Sequence, residues 1–208
     1  METYNLANLT HKLSTSKVKV FTKKTLGDYL GVGNDSSLDK IVRRLISAGV
    51  IVRGEKGKYL IQGSLLEPYT IANFLRSPSY ISFETALNHH GILSQFPYEI
   101  ASATPSKSGE KRIENKIYTY IHLQKSLFWG YFKQNDYLIA EPEKALLDQL
   151  YLHIKGFRGF PLDEYDLARV NVAKLKQYLR QMPKLVRSHS LSAQLIQESG
   201  HDRPVSII

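Results

Sequence analysis

Between residues 18 and 62 the apolar positions change period twice. Leu38, Ile41, Val42, Leu45 and Gly49 recur at helical spacing within a narrow arc, and Ser36, Lys40, Arg43, Arg44 and Ser47 fall on the opposite arc. Gly33, Asn34 and Asp35 break the chain ahead of this helix. Ser36 and Asp39 fit the S-x-x-[DE] capping start, and Gly49 suits a left-handed residue past the end. Upstream, Thr22 is placed to cap an earlier helix, with Phe21 and Leu26 spaced to staple across the cap. Leu26, Tyr29 and Leu30 continue that stripe, and Gly31 suits its exit. Downstream, residues 50–53 and 59–61 read as two short strands around a turn at residues 54–58, and residues 18–20 offer a third strand. An initial helix over residues 2–13 carries Tyr4, Leu6, Leu9 and Leu13 on a loose apolar face.

Helix, tight turn, helix and hairpin in this order predict a winged helix-turn-helix over residues 1–63. Its second helix has an apolar back and a Ser/Lys/Arg front, which suits duplex DNA: cations for phosphates, forked and hydroxyl donors for base edges. The expected DNA contacts are Ser36, Ser37, Lys40, Arg43 and Arg44 in the major groove. Lys23 and Lys24 are expected on the flanking backbone, and Arg53, Lys56 and Lys58 in the wing. Taken alone, a basic helix face is more often that of a solvated surface helix. The cap, turn and hairpin around it favour the DNA reading.

The patterning changes after residues 63–68, where Gly, Ser and Pro mark a boundary. A short helix over residues 69–75 stops before Pro78, and Ser82 is placed to cap a helix that Gly91 ends. Residues 98–104 alternate weakly, and residues 105–112 read as a charged loop. Over residues 117–123, Ile117, Ile121 and Leu123 point one way and Tyr118, Tyr120 and His122 the other. The tyrosine face reads as a second core layer or, alternatively, as a stacking surface for bases. Residues 128–132 and 136–140 read as two more strands, and Pro142 suits the first position of a helix over residues 143–153. A helical tail follows from about residue 157. The fold class expected is α+β: the winged unit, then a mixed α/β domain over residues 69–208.

The formal net charge is +9, and it is unevenly placed. Residues 1–63 hold eleven Lys/Arg against five Asp/Glu, the remainder seventeen against fourteen. The winged segment therefore carries most of the excess, as phosphate binding requires. With no cysteine there are no disulfides, thiolate metal sites or cysteine nucleophiles. No apolar run approaches the roughly 18 residues of a spanning helix, and the start does not read as a signal peptide. A cytoplasmic protein without membrane association is expected.

Two segments carry a family resemblance. Pro78-Ser79-Tyr80-Ile81-Ser82-Phe83-Glu84-Thr85-Ala86-Leu87-Asn88-His89-His90-Gly91 resembles the PSYIS-x-E-x-AL-x-xHG stretch of the AbiEi antitoxins of type IV toxin–antitoxin systems, which serve abortive infection. Ala140-Glu141-Pro142-Glu143-Lys144-Ala145-Leu146-Leu147-Asp148 resembles the A-x-PEKALLD segment of the same family. The similarity covers most of residues 1 to about 155. It implies a bacterial autorepressor that binds inverted repeats in its own promoter and whose second domain counters a nucleotidyltransferase toxin, without requiring a stable complex. It implies no catalytic residue and no cofactor. The residues themselves leave a second class open: a winged-helix regulator whose C-terminal domain binds a ligand or protein, with no toxin partner.

The apolar and small motif positions read as core. Glu84, His90, Glu143, Lys144 and Asp148 are polar where apolar residues would serve, so one or two of them are candidates for a second-domain site. Lys107, Lys111 and Arg112, with Lys116, read as a solvated basic loop or as extra DNA contact. A metal site is not expected, because adjacent His89 and His90 diverge by about 100° on a helix and the other histidines are scattered. Glu141, Glu143 and Lys144 after a strand evoke a Mg²⁺ nuclease, but the E-x-K spacing is missing, and Pro142 as a helix start is the plainer account.

Overall fold

A computed structural model describes residues 5–200. The first residues of the predicted initial helix, Tyr4 among them, and His201 lie outside that range. Within it the chain is mixed α+β, with one three-stranded and one six-stranded sheet.

The N-terminal unit runs α1 (Leu6–Ser14), β1 (Val20–Thr22), α2 (Lys23–Leu30), α3 (Asp35–Ser47), β2 (Ile51–Arg53) and β3 (Lys58–Ile61). Thr22 Oγ1 accepts the Thr25 N–H at 3.2 Å, and Thr25 Oγ1 accepts the Thr22 N–H at 2.9 Å, closing a capping box at the start of α2. Gly31 ends α2 at φ 78°, a left-handed residue that opens the turn to α3. The cap of α3 corrects the sequence expectation. Asn34, not Ser36, is the N-cap, its Oδ1 accepting the Ser37 N–H at 3.0 Å. An asparagine caps as well as a serine, so the helix starts a residue ahead of Ser36 and places it within the first turn. The three strands form an antiparallel sheet in the order β1-β3-β2, with Val52 and Val20 both opposite Leu60. Leu9, Leu13, Phe21, Leu26, Leu38, Ile41, Leu45 and Ile51 close its core.

The second unit continues with α4 (Pro68–Leu75), β4 (Tyr80–Ile81), α5 (Phe83–His89), β5 (Glu99–Thr104), β6 (Gly109–Ile113), β7 (Lys116–His122), β8 (Tyr131–Gln134), β9 (Tyr137–Ala140) and α6 (Pro142–Ile154). Its sheet has the order β6-β7-β5-β4-β9-β8, with β5/β7 and β4/β9 parallel and the other pairs antiparallel. Three strand expectations change. β4 lies in a stretch that reads as loop and cap. Residues 109–113 are an edge strand rather than a charged loop, since pairing with β7 outweighs their polar composition. The strand read at residues 128–132 starts later: a 3₁₀ turn at Lys125–Leu127, irregular backbone and a left-handed Gly130 precede it, and β8 begins at Tyr131.

One face of this sheet carries α5 and α6, and the other carries α4. Tyr80 reaches α6 on the first face, while the Tyr120 hydroxyl donates to the Ala72 carbonyl of α4 at 2.7 Å on the second. Tyr118 and Tyr120 are each 1% exposed, so the tyrosine face of β7 is core. The helical tail starts later than residue 157: α7 (Val172–Gln181), α8 (Lys184–Arg187) and α9 (Ser190–Ser199) follow two 3₁₀ turns. Leu175, Met182, Val186 and Leu195 join them to the main core.

The boundary at residues 63–68 is a change of direction in the backbone, but the two units are packed together. Leu60 of β3 belongs to the core of the second unit. Gly54 of the hairpin sits so tightly that a Cβ there would lie 2.2 Å from Leu75 Cδ2 and 3.2 Å from Leu60 Cδ1. Gly54→Ala should therefore destabilise the whole chain by about 1–3 kcal/mol through overpacking. In urea this is expected as a lower midpoint at unchanged slope.

Candidate nucleic-acid interface

Lys40, Arg43 and Arg44 are exposed on α3, while Leu38, Ile41, Val42 and Leu45 on its other side are all within 5% of full burial. Ser36 is exposed and Ser37 half-buried at the same helix start. The amphipathic arc thus emerges as a basic ridge 13 residues long facing water.

Lys23 does not join that ridge. Its ammonium lies 2.8 Å from Asp39 and 3.8 Å from Asp35, tying α2 to the first turns of α3. The Asp39 carboxylate holds it above its ordinary pKa. Lys23 therefore pins the two helices together and offsets acidic charge beside the ridge. Lys24, next to it, points to solvent.

The hairpin is half free and half seated. Arg53 and Lys56 are exposed, but Lys58 is not a wing contact. Its Nζ donates to the Phe74 and Leu75 carbonyls at 2.8 and 3.1 Å, closing the C-terminus of α4, where a cation is favoured. Burial lowers its pKa. Glu55 at the turn meets Arg76 at 2.9 Å and Lys111 at 3.9 Å. Arg76 also donates to the Lys107 carbonyl at 2.7 Å and stacks 4.6 Å from the Tyr120 ring centroid. Glu55 and Arg76 as a hairpin seat are invisible in local patterning, since they come from segments 21 residues apart.

Lys107, Lys111 and Arg112 do not form one patch. Consecutive strand residues face opposite ways, so Lys111 turns toward Glu55 while Arg112, paired in register with Ile117, lies on the other face near Glu110 at 3.8 Å. Lys107 stands exposed on the preceding turn.

The polar residues of the two motifs meet inside the second unit. Ile81 and Ile139 pair across the parallel β4/β9 ladder, and behind them the Asp148 carboxylate accepts from Lys144, from the Tyr80 hydroxyl at 2.9 Å and from Ser82 Oγ at 2.8 Å. Lys144 Nζ also donates to Tyr80 at 3.0 Å and lies 4.9 Å from the Trp129 ring. Lys144 and Asp148 are both 0% exposed. Burial pulls the Lys144 pKa down against the carboxylate beside it, and burial with the Asp148 charge drives Tyr80 well up. Gly130 leaves room for the Lys144 stem, whose Cγ would be 2.9 Å from any Cβ there. Ser82 occupies the cap position of α5 but makes no cap hydrogen bond, since its hydroxyl is committed to Asp148.

The other motif residues are likewise engaged within the protein. Glu143 is buried and accepts the Asn171 N–H at 2.8 Å. His90 Nε2 donates to the Ala140 carbonyl at 2.7 Å, and burial lowers its pKa. Glu84 pairs with Arg158 at 2.6 Å and accepts from Gln149. Glu143, Lys144 and His90 therefore join segments rather than lining a cleft, contrary to the expected second-domain site. Glu84 borders a shallow cavity, but its oxygens are taken by Arg158 and Gln149.

No family model and no curated relative matches the sequence. Among solved structures, that of the RV2827C protein from Mycobacterium tuberculosis is similar at 16% identity and a TM-score of 0.64, covering 93% of this chain and 76% of the other. The likeness is one of fold. It spans both units, so the arrangement of the two is found outside this chain. Among the described residues no helix is long and apolar enough to cross a membrane.

Asp148→Ala should cost about 3–5 kcal/mol, because Lys144 would be left buried without its counter-charge. Adding Lys144→Met should recover part of that loss. Urea unfolding of the single and double variants checks the sign of the coupling.

Proposed function

We propose that the chain is a double-stranded-DNA-binding autorepressor, with a winged helix-turn-helix over residues 1–63 whose α3 enters the major groove. What supports this is the solvent-facing ridge of Lys40, Arg43 and Arg44 on a helix with a fully buried back. Cations there supply phosphate attraction, and arginine forks match guanine O6/N7. Ser36 and Ser37 offer hydroxyls at the end of the helix that enters the groove first. Arg53 and Lys56 reach the flanking backbone from the hairpin, with Lys24 on the other side. Lys23 and Lys58 serve the protein's own packing, which narrows the contact set to the exposed cations. The partner is duplex DNA of its own promoter, and inverted repeats there would be read by two copies.

The resemblance to AbiEi antitoxins adds the second half of the proposal: the C-terminal unit counteracts a nucleotidyltransferase toxin. That half rests on the two motifs. Their meeting at the Asp148 network accounts for them as a shared core. Cytoplasmic action on the promoter follows from the same reading. A ligand-responsive regulator without a toxin is favoured by a different observation, a water-open cavity against β7.

Arg43→Ala is expected to weaken binding to the cognate promoter by about 1–3 kcal/mol and to relax specificity at one base pair. Lys56→Ala should weaken all duplexes alike and reduce the salt slope by about 1. Fluorescence anisotropy over a salt series separates the two, and two unchanged variants would remove α3 and the hairpin from DNA. Co-expression of the full chain with a nucleotidyltransferase encoded beside it should restore growth, and a toxic partner left unchecked would end the antitoxin half.

A further inference from the structure

A cavity of about 450 Å³ opens between the C-terminal end of α6 and β7, within the size range of small-ligand sites. Its wall combines Ile121, Tyr151, Leu152 and Phe157 with Ser108, His122, Gln124, Lys155 and Arg158. Among the described residues no carboxylate lines it. Two of its cations differ in availability. Arg158 is held by Glu84 at 2.6 Å and Glu99 at 2.5 Å, so its charge is already matched outside the cavity. Lys155 is exposed and stands 4.9 Å from the Tyr151 ring centroid, and among the described residues no carboxylate shares the cavity wall with it.

Phe157 makes the site more than a dent. The Gly156 N–H donates to the His153 carbonyl at 2.8 Å and the Phe157 N–H to the Leu152 carbonyl at 2.9 Å, with Gly156 at φ 76°. These are the two bonds of a Schellman ending, in which the residue at the Phe157 position ordinarily packs its side chain back on the helix. Here the ring is 74% exposed instead. The backbone is thus fixed while the ring stays in water at the cavity mouth, so closing it over a ligand orders little else. On the opposite wall, His122 Nδ1 donates to the Ser106 carbonyl at 3.0 Å, and Ser108 Oγ accepts the His122 N–H at 2.9 Å.

We infer that this cavity binds a small planar aromatic anion, its ring between Phe157 and the Tyr151–Leu152 wall and its carboxylate or phosphate on Lys155. Aromatic carboxylates and nucleoside monophosphates share that chemistry. Titration of the full chain, followed by saturation-transfer NMR and calorimetry, would use salicylate and indole-3-acetate in one arm and AMP and UMP in the other. Salicylamide and adenosine are the uncharged controls. The expected result is binding in one arm and at least tenfold weaker binding of its uncharged control. Lys155→Met should lose about tenfold for the anion with no change for the control. Phe157→Ala should weaken both. Both residues are exposed, so unchanged melting temperatures are expected and are checked in parallel. No binding in either arm up to millimolar concentration, uncharged controls binding as well as anions, or both variants binding like the parent would overturn the assignment. The readout is ligand binding alone, so its failure leaves the DNA-binding reading untouched.

Discussion

A carboxylate sealed from water must be matched or the fold around it fails, and Asp148 sets that condition for the second unit. Burying an ion costs several kcal/mol unless charge and hydrogen bonds are supplied on the spot. Here they come from three separate stretches: Lys144 a turn earlier on α6, Tyr80 on β4 and Ser82 at the head of α5. A strand of two residues is too short to hold itself. β4 is kept central in its sheet because Tyr80 is committed to α6 on one side while its backbone pairs with β5 and β9. The network therefore fixes position as much as it adds stability.

The same logic, in milder form, joins the two units. Glu55 and Lys58 leave the hairpin for Arg76 and the end of α4, so charges that would otherwise face solvent set its orientation. Partly exposed pairs of this kind contribute little individually. Their value is geometric, since they hold Gly54 against Leu75 and Leu60 in a contact that a Cβ enters only if Leu75 moves. What stays exposed to solvent on the N-terminal unit is the α3 ridge and two hairpin cations.

How much of this was legible depended on whether the deciding partner was near in sequence. The α3 ridge was legible because its burial follows one helix's own period, and so were the Thr22 cap and the Pro142 start. β4 was not, since it exists only through strands that arrive about 20 and 60 residues later. The edge strand at residues 109–113 was read as loop because alternate residues, Glu110 and Arg112, face water as loop residues do. Counting cations placed Lys23 and Lys58 on DNA. It could not register that Asp39 lies across a helix turn, or that two carbonyls lie 16 and 17 residues downstream. The motif acids and lysine read as a site because polarity was visible and enclosure was not.

The tight seat of Gly54 bears on how such a protein can be taken apart. Leu65 stands wholly in solvent between the two units, yet severing the chain there would uncover greasy surface on both pieces: Leu60 on one, Leu75 and Ile113 on the other. The amino-terminal segment is therefore no portable cassette. Transplanted onto another body, it would need its β-finger redressed with polar residues before it could stay in solution by itself.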